Sequence, residues 1–340
     1  MATMRMPDYP LFSGSASDQL AELVGFGLGR RLSASSTRKF PDGELAVTLD
    51  VPVRGQAVFI VQSMYPRVTE SLFELLLYVD ACRRAGARHI TAVVPYLGYA
   101  RADKRHARRE AITASMLANL FTTTGLNQLV TIDLHSAQIE GFYKIPVENL
   151  TAVPTLCDEL RHSLPSNTVV VSPDEGRVQM AREFGRNLSF PIAVLHKLRS
   201  SATETKVLNV VGDVLGRACL IIDDMITTGG TISSAVAALL KAGASPEITV
   251  AATHGVLVEG AREQLSHPAI RRVVVTNSIV QQRSDWRELT VVTVAPLLAV
   301  AIQRLSACDV GQLQCQDLKH LGEQEMSLPP SEQISVSCCQ

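Results

Sequence analysis

This chain lacks an excess of charge of either sign. Its 340 residues carry 32 Lys and Arg against 33 Asp and Glu, for a formal net charge of −1. Such a balance exerts no global pull on nucleic acid or an anionic membrane, so any polyanionic ligand must be held by local clusters. Long apolar runs are also missing, and none approaches the ~18 residues of a spanning helix. Met1 to Pro10 lacks the apolar core of a signal peptide. The seven cysteines, Cys82, Cys157, Cys219, Cys308, Cys315, Cys338 and Cys339, form no Cys-x-x-Cys pair. Buried or incidental thiols in a reducing cytosol are expected. Cys338-Cys339 is not followed by the residues of a prenylation box. No short-period repeat occurs. The expectation is a soluble cytoplasmic protein that binds neither nucleic acid nor membrane.

What is present is a large apolar fraction, 46% hydrophobic against 19% charged, enough for a sizeable core. The length fits about two domains. Apolar runs alternate with helical periodicity. Ala57–Gln62, His89–Pro95, Gln128–Asp133, Thr168–Ser172, Ile192–Leu195 and Thr249–Thr253 are expected as strands. Between them, Ser71–Ala85, Ala111–Thr123, Val153 to about His162, and Val178–Leu188 are expected as helices. This alternation predicts an α/β fold with mostly parallel central sheets flanked by helices. The pattern restarts once, giving two similar units at 11–149 and 150–305. The polar remainder, 306–340, is expected to be a flexible tail. Residues 200–210 are expected to loop outward.

The most informative stretch is Leu220-Ile221-Ile222-Asp223-Asp224-Met225-Ile226-Thr227-Thr228-Gly229-Gly230-Thr231. An apolar run meets two carboxylates, then a loop of hydroxyls and glycines, then a helix expected from Ile232 to Ala242. A strand, a polar glycine loop and a helix start gather free backbone N–H groups, where a phosphate binds well. The acids make sense if they hold sugar hydroxyls, or Mg2+, beside that phosphate. A βα turn with a capping Thr and two solvated acids has the same spacing.

Other segments also carry chemistry. Phe40-Pro41-Asp42-Gly43-Glu44 is a turn before strand Leu45–Leu49. Its ring could stack on a planar base, with Asp42 and Glu44 near ring or ribose polar atoms; from these residues alone an ordinary hairpin is favoured. Arg101 to Arg109 holds five Lys or Arg in nine residues, a mobile clamp for a polyphosphate or a solvated basic loop. Asp133-Leu134-His135 ends a strand, where sheets present ligand groups. Lys197 and Arg199 alternate on one face of an extended segment. They suit a developing phosphoryl charge or the defence of an edge strand.

Taken together, these segments resemble one family. Asp223 to Thr231 resembles the PRPP-binding loop of the type I phosphoribosyltransferase fold. Phe40-Pro41-Asp42-Gly43-Glu44, Tyr99 to Lys104, Asp133-Leu134-His135, Ser172-Pro173-Asp174 and His196-Lys197-Leu198-Arg199 occur in the order of ribose-phosphate pyrophosphokinases. The resemblance covers about Phe12 to Leu305. It implies transfer of a diphosphoryl group from ATP to the C1 hydroxyl of ribose 5-phosphate, with Mg2+, giving PRPP and AMP for nucleotide biosynthesis. Carried over, Asp223 and Asp224 would hold ribose hydroxyls, and Thr227, Thr228, Gly229, Gly230 and Thr231 the 5-phosphate. Phe40, Asp42 and Glu44 would supply the adenine side across a subunit interface of a homo-oligomer. Arg101, with Asp103 and Lys104, would grip the ATP phosphates. His135 and Asp174 would sit at the metal, and Lys197 and Arg199 would stabilise the transferring phosphorus. The chain departs from the family pattern at Ala102, Glu175-Gly176-Arg177 and Leu198. It departs again at Pro52 and Glu110-Ala111, which implies no phosphate activation or ADP inhibition at a separate site. A non-catalytic regulatory paralogue and a PRPP-using transferase are the alternatives, and the motifs retained here favour the synthase.

Overall fold

The computed structural model describes residues 9–105, 108–198, 207–281 and 285–308. The elements of the first half are β1 (Leu11–Ser13), α1 (Asp18–Gly27), β2 (Ser35–Lys39), β3 (Leu45–Leu49), β4 (Ala57–Val61) and α2 (Val68–Arg84). They continue through β5 (His89–Val94), α3 (Thr113–Thr124), β6 (Gln128–Ile132) and β7 (Val147–Leu150). The second half begins with α4 (Val153–Leu160), β8 (Val169–Ser172), α5 (Val178–Leu188), β9 (Ile192–Leu198), β10 (Val207–Val211) and β11 (Cys219–Ile226). It ends with α6 (Gly230–Lys241), β12 (Ile248–Gly255), α7 (Ala261–Gln264), β13 (Ile270–Thr276), β14 (Leu289–Val292) and α8 (Ala295–Cys308).

The first sheet runs β1-β4-β5-β6-β7 and is parallel throughout. The second runs β10-β9-β8-β11-β12-β13-β14, parallel except for the β9–β10 pair. Continuous apolar strands follow from burial on both faces. In β4, Val58 and Ile60 face the core under α2 and α3, while Phe59 and Val61 face α1 and α8. In β11, Cys219 and Ile221 pack on the α6 side, and Leu220 and Ile222 on the α4–α5 side. The closing helix α8 packs back onto the first sheet, with Leu298 and Ile302 in one cluster with Leu11, Leu20 and Val24.

The sequence expectations shift at three places. Both acids lie inside β11, which continues to Ile226, because Asp223 to Ile226 stays in register with Ala252 to Gly255. Residues 207–210 do not loop outward but belong to β10, antiparallel to β9, so β9 is not an edge strand. Val207, Leu208 and Val210 are apolar and suit a strand, unlike the polar residues that precede them in the sequence. Ser17 or Asp18 is the cap expected from residue type before the first helix, but Ser17 does not cap α1 with its side chain; its buried hydroxyl accepts from the Ser63 amide instead.

The hairpin β2–β3 stands apart as a two-stranded sheet. It is tied to α2 by Thr37 Oγ1 donating to Glu74 Oε1 (2.7 Å) and by Lys39 on Glu70 (2.6 Å). Buried Glu74 also accepts from Ser15 and Gln62. Cys82, Cys157 and Cys219 are free and buried, and burial pushes their thiols to about 12, 12 and 11. Among the described residues no helix is long and apolar enough to cross a membrane. The expected tail beyond Cys308 lies outside the described residues.

Candidate active site

The carboxyl ends of the central strands of both sheets meet in a cleft. From the second half, β11 delivers Asp223 and Asp224 side by side, with the Asp224 amide donating to Asp223 Oδ1 (2.9 Å). The chain then turns through Thr227 to Gly229 into α6. Gly229 sits at φ +80°, which favours glycine, and a Cβ there would meet Gln264 and Leu265 at 3.1 Å. The loop is pinned from below: the Leu257 and Val258 amides donate to the carbonyls of Ile226 and Thr227, each at 3.0 Å. The α6 N-terminus therefore faces the cavity from a fixed platform, as phosphate capture requires.

From the first half comes His135, two residues after Asp133. Asp133 has φ +41°, a conformation Asp tolerates better than most residues. His135 Nδ1 lies 2.7 Å from Asp224 Oδ2. Arg177, at the start of α5, completes the arrangement. Its Nε is 3.3 Å from Asp223 Oδ1 and 3.0 Å from Asp224 Oδ1. One terminal nitrogen donates to the His135 carbonyl (2.9 Å), and the other lies 2.7 Å from His135 Nδ1. A guanidinium only donates and a carboxylate only accepts, so Nδ1 serves one of these two partners at a time.

Burial sets the charges of the acid pair. It pushes the Asp223 carboxyl well above the ordinary value, and neighbouring Asp224 adds to that. Burial acts on Asp224 in the same direction, but the His135 hydrogen bond and the Arg177 guanidinium outweigh it and hold Asp224 at about 2. The two carboxyls are thus pushed in opposite directions, with Asp224 the more acidic and Arg177 against both.

A cavity of about 190 Å3 is lined by Arg101, His135, Asp174, Arg177, the two acids and the whole loop from Met225 to Ile232. A larger one of about 770 Å3 adjoins it, lined by Arg101, Asp103, Lys104, His135 and Gln138 among others. Arg101 borders both. The structure therefore brings together Arg101, His135, Asp174, Asp223, Asp224 and Thr227 to Thr231, with Asp103 and Lys104 one cavity away. It does not bring Phe40, Asp42 and Glu44 to these cavities. They form the tip of the β2–β3 hairpin, where the Phe40 amide donates to the Glu44 carbonyl and Arg38 stacks on the Phe40 ring at 4.4 Å. Lys197 lies in β9 opposite Leu208. Arg199 lies outside the described residues.

Two sets of residues carried no role in the sequence reading. Arg177 was visible only as a bulky residue where small ones are common. The buried group Asp133, Thr253, His254 and Ser278 sits under the site and joins the halves. Its one signal was Thr253-His254, polar residues closing an otherwise apolar strand.

A hydroxyl-rich loop opening a helix at a central strand end has the geometry that suits a phosphate, and the adjoining acids suit a sugar attached to it. The chain is in this respect an α/β transferase of sugar phosphates. Comparison makes this specific. Residues 9–125 match the N-terminal domain of ribose phosphate pyrophosphokinase, and residues 198–313 match the phosphoribosyl synthetase-associated domain. The ribose-phosphate pyrophosphokinase of Gloeobacter violaceus is 44% identical over 297 residues, 87% of this chain and 89% of that protein. The Corynebacterium efficiens ribose-phosphate pyrophosphokinase is 42% identical over 299 residues, 87% of this chain and 92% of its own length. The crystal structure of phosphoribosylpyrophosphate synthetase from Mycobacterium smegmatis superimposes with a TM-score of 0.81 at 40% identity. It covers 88% of this chain and 99% of that one. The chain belongs to the ribose-phosphate pyrophosphokinase family.

Proposed function

We propose that this chain transfers the diphosphoryl group of ATP to ribose 5-phosphate through the two adjoining cavities. The acceptor sits in the smaller one: the loop from Thr227 to Thr231 holds the 5-phosphate, and Asp223 and Asp224 face the ribose hydroxyls. The triphosphate lies in the larger cavity, against Arg101, Asp103 and Lys104. A bond forms between the C1 oxygen and the β-phosphorus, the bond from that phosphorus to the α-bridging oxygen breaks, and AMP leaves. Lys197 and Arg199 stabilise charge on the transferring group. This chemistry needs alignment and cations more than a covalent nucleophile. The observation that carries the reading is that Arg101 borders both cavities.

Mg2+ fits the chemistry of the donors. Among the described residues no three His, Cys, Asp or Glu cluster as a metal cage. Mg2+ in phosphoryl-transfer sites takes one or two carboxylates and fills its shell with phosphate oxygens and water. Asp174 lines the acceptor cavity and supplies such a carboxylate, with His135 beside it. When bound, the ion would neutralise phosphate charge. The adenine side, Phe40, Asp42 and Glu44, is supplied by another copy of the chain in a homo-oligomer, which is why the hairpin tip stands away from these cavities. The chain works as the two units 11–149 and 150–305, in the cytoplasm, where buried free thiols stay reduced.

The purified chain, incubated with ATP, Mg2+ and ribose 5-phosphate, should yield AMP and PRPP in equal amounts. Ligand binding without AMP would overturn the reading in favour of a regulatory paralogue.

A further inference from the structure

Arg177 belongs to none of the segments that carry the family resemblance, yet it lies at the centre of the acceptor site. Its side chain is 13% exposed. It meets two carboxylate oxygens, from Asp223 and Asp224, together with the ring nitrogen and the carbonyl oxygen of His135. That set of partners would suit a cation, and here the guanidinium is the cation. A metal ion between the same groups would require Arg177 to leave. Without a cation, Asp224, whose side chain is 2% exposed, would hold a buried charge beside the His135 ring and a second carboxyl, Asp223.

The geometry points to Arg177 as the built-in cation of the acceptor site, a positioning residue that fixes Asp223, Asp224 and His135 in place of a divalent ion between them. This rests on the acceptor reading above. Three features support a positioning role. The planar fork reaches three residues at once, which a point charge cannot do. Its partners come from β11 and from the segment after β6, so it spans the cleft. The Arg177 amide donates to the Asp174 carbonyl (3.4 Å), but the guanidinium turns to Asp223, Asp224 and His135, while Asp174 Oδ1 accepts from the Gly176 amide (2.9 Å), so the carboxylate proposed for the nucleotide's metal and the cation of the acceptor are separate groups.

The test compares the full-length wild type with Arg177→Ala and Arg177→Lys. Ribose 5-phosphate and ATP are varied in turn, and Mn2+ is titrated without nucleotide by electron paramagnetic resonance. Arg177→Ala should raise KM for ribose 5-phosphate about tenfold or more, with KM for ATP changed less than about twofold, as outer-shell positioning groups do. Arg177→Lys should recover only part of this. Arg177→Ala should also gain a nucleotide-free Mn2+ site that the wild type lacks. Equal changes in both KM values, no change in either, or wild-type Mn2+ binding as tight as the variant's would overturn the assignment. If Arg177→Ala does not fold, Arg177→Lys decides, and an unchanged KM for ribose 5-phosphate overturns it. If the wild type makes no AMP, the proposed function fails on its own. Calorimetric binding of ribose 5-phosphate without ATP then still separates an Arg177 that organises the acceptor, with about tenfold weaker binding in the variant, from one that does not, with equal binding.

Discussion

Asp133 and Thr253 stand 120 positions apart, and the Thr253 hydroxyl donates to Asp133 Oδ2 across 2.6 Å in the buried seam between the halves. The same oxygen accepts from the Ala152 amide at 2.9 Å. Beside them His254 donates from Nε2 to the Ile132 carbonyl (3.0 Å), while Nδ1 lies 2.9 Å from the Ser278 hydroxyl. Burial lowers the His254 pKa, and Nε2 is the donor because a carbonyl oxygen only accepts. The network sits directly before His135 on one side and beside the acid-bearing strand on the other. Thr253→Val keeps the shape and removes the donor, leaving a buried carboxylate short of a partner. Stability should fall by about 1–3 kcal/mol in denaturant titrations, and Thr253→Ser should restore most of it.

The acid pair predicts a trade of stability for function. Asp223 has its folded pKa raised above the ordinary 3.8. Above 3.8 the folded chain retains a proton the unfolded chain gives up, so this group costs stability as pH rises through the folded value. Asp224, held at about 2, acts in the opposite sense; its contribution is present above 3.8 and is lost as pH falls toward 2. Asp223→Asn cannot ionise and still accepts from the Asp224 amide. Its Tm should exceed that of the wild type at pH 8, with the gain shrinking toward pH 4, while turnover is lost. Thermal melts across pH check the sign; a gain that grows toward acid would refute it.

Gly229 and Gly216 separate strain from binding. Both have positive φ, +80° and +66°. A Cβ at Gly229 would press on Gln264 and Leu265, whereas one at Gly216 meets nothing within 4 Å. Alanine at either should cost about 1 kcal/mol or more. Only Gly229→Ala should also weaken ribose 5-phosphate binding, because it moves the platform under the phosphate. Calorimetry on both variants reads the difference.

Lys197 sits in β9, next to β8, whose end at Ser172 lies two residues before Asp174. Lys197→Ala should lower kcat by about 10²–10³ with modest change in KM for ATP, as when one group that stabilises developing charge is removed. An unchanged kcat would take that role from it.

The hairpin tip predicts complementation. Phe40→Ala and Asp223→Asn should each be inactive alone. Mixed and allowed to exchange subunits, they should regain part of the activity, because an intact hairpin on one chain meets an intact acceptor loop on another. No recovery would place the hairpin at its own chain's site.

Much of this protein is written in local pattern. Apolar runs with helical segments between them determine the α/β class, because strands buried on both faces need continuous apolar sequence. The run from Cys219 into the glycine loop determines a strand, a tight turn and a helix start, since small residues there expose backbone N–H groups wherever the pattern occurs. The order of the short motifs determines the family.

Other features were decided by contacts between residues distant in the chain. Val207-Leu208-Asn209-Val210 follows a polar run that suggests a loop, and pairing with β9 separates it from that run as a strand. Asp223 and Asp224 look alike in sequence; His135, 89 positions from Asp224, and Arg177 hold the Asp224 pKa down, while burial and the neighbouring Asp224 raise that of Asp223. Arg177 itself has no local signature, because a guanidinium at a helix start is ordinary until the fold surrounds it with two acids and a histidine. Sequence determined which chemical groups this protein possesses. Tertiary structure decided which of them share a charge, because Coulomb interactions and desolvation depend on distance and burial, and neither is a property of neighbours along the chain.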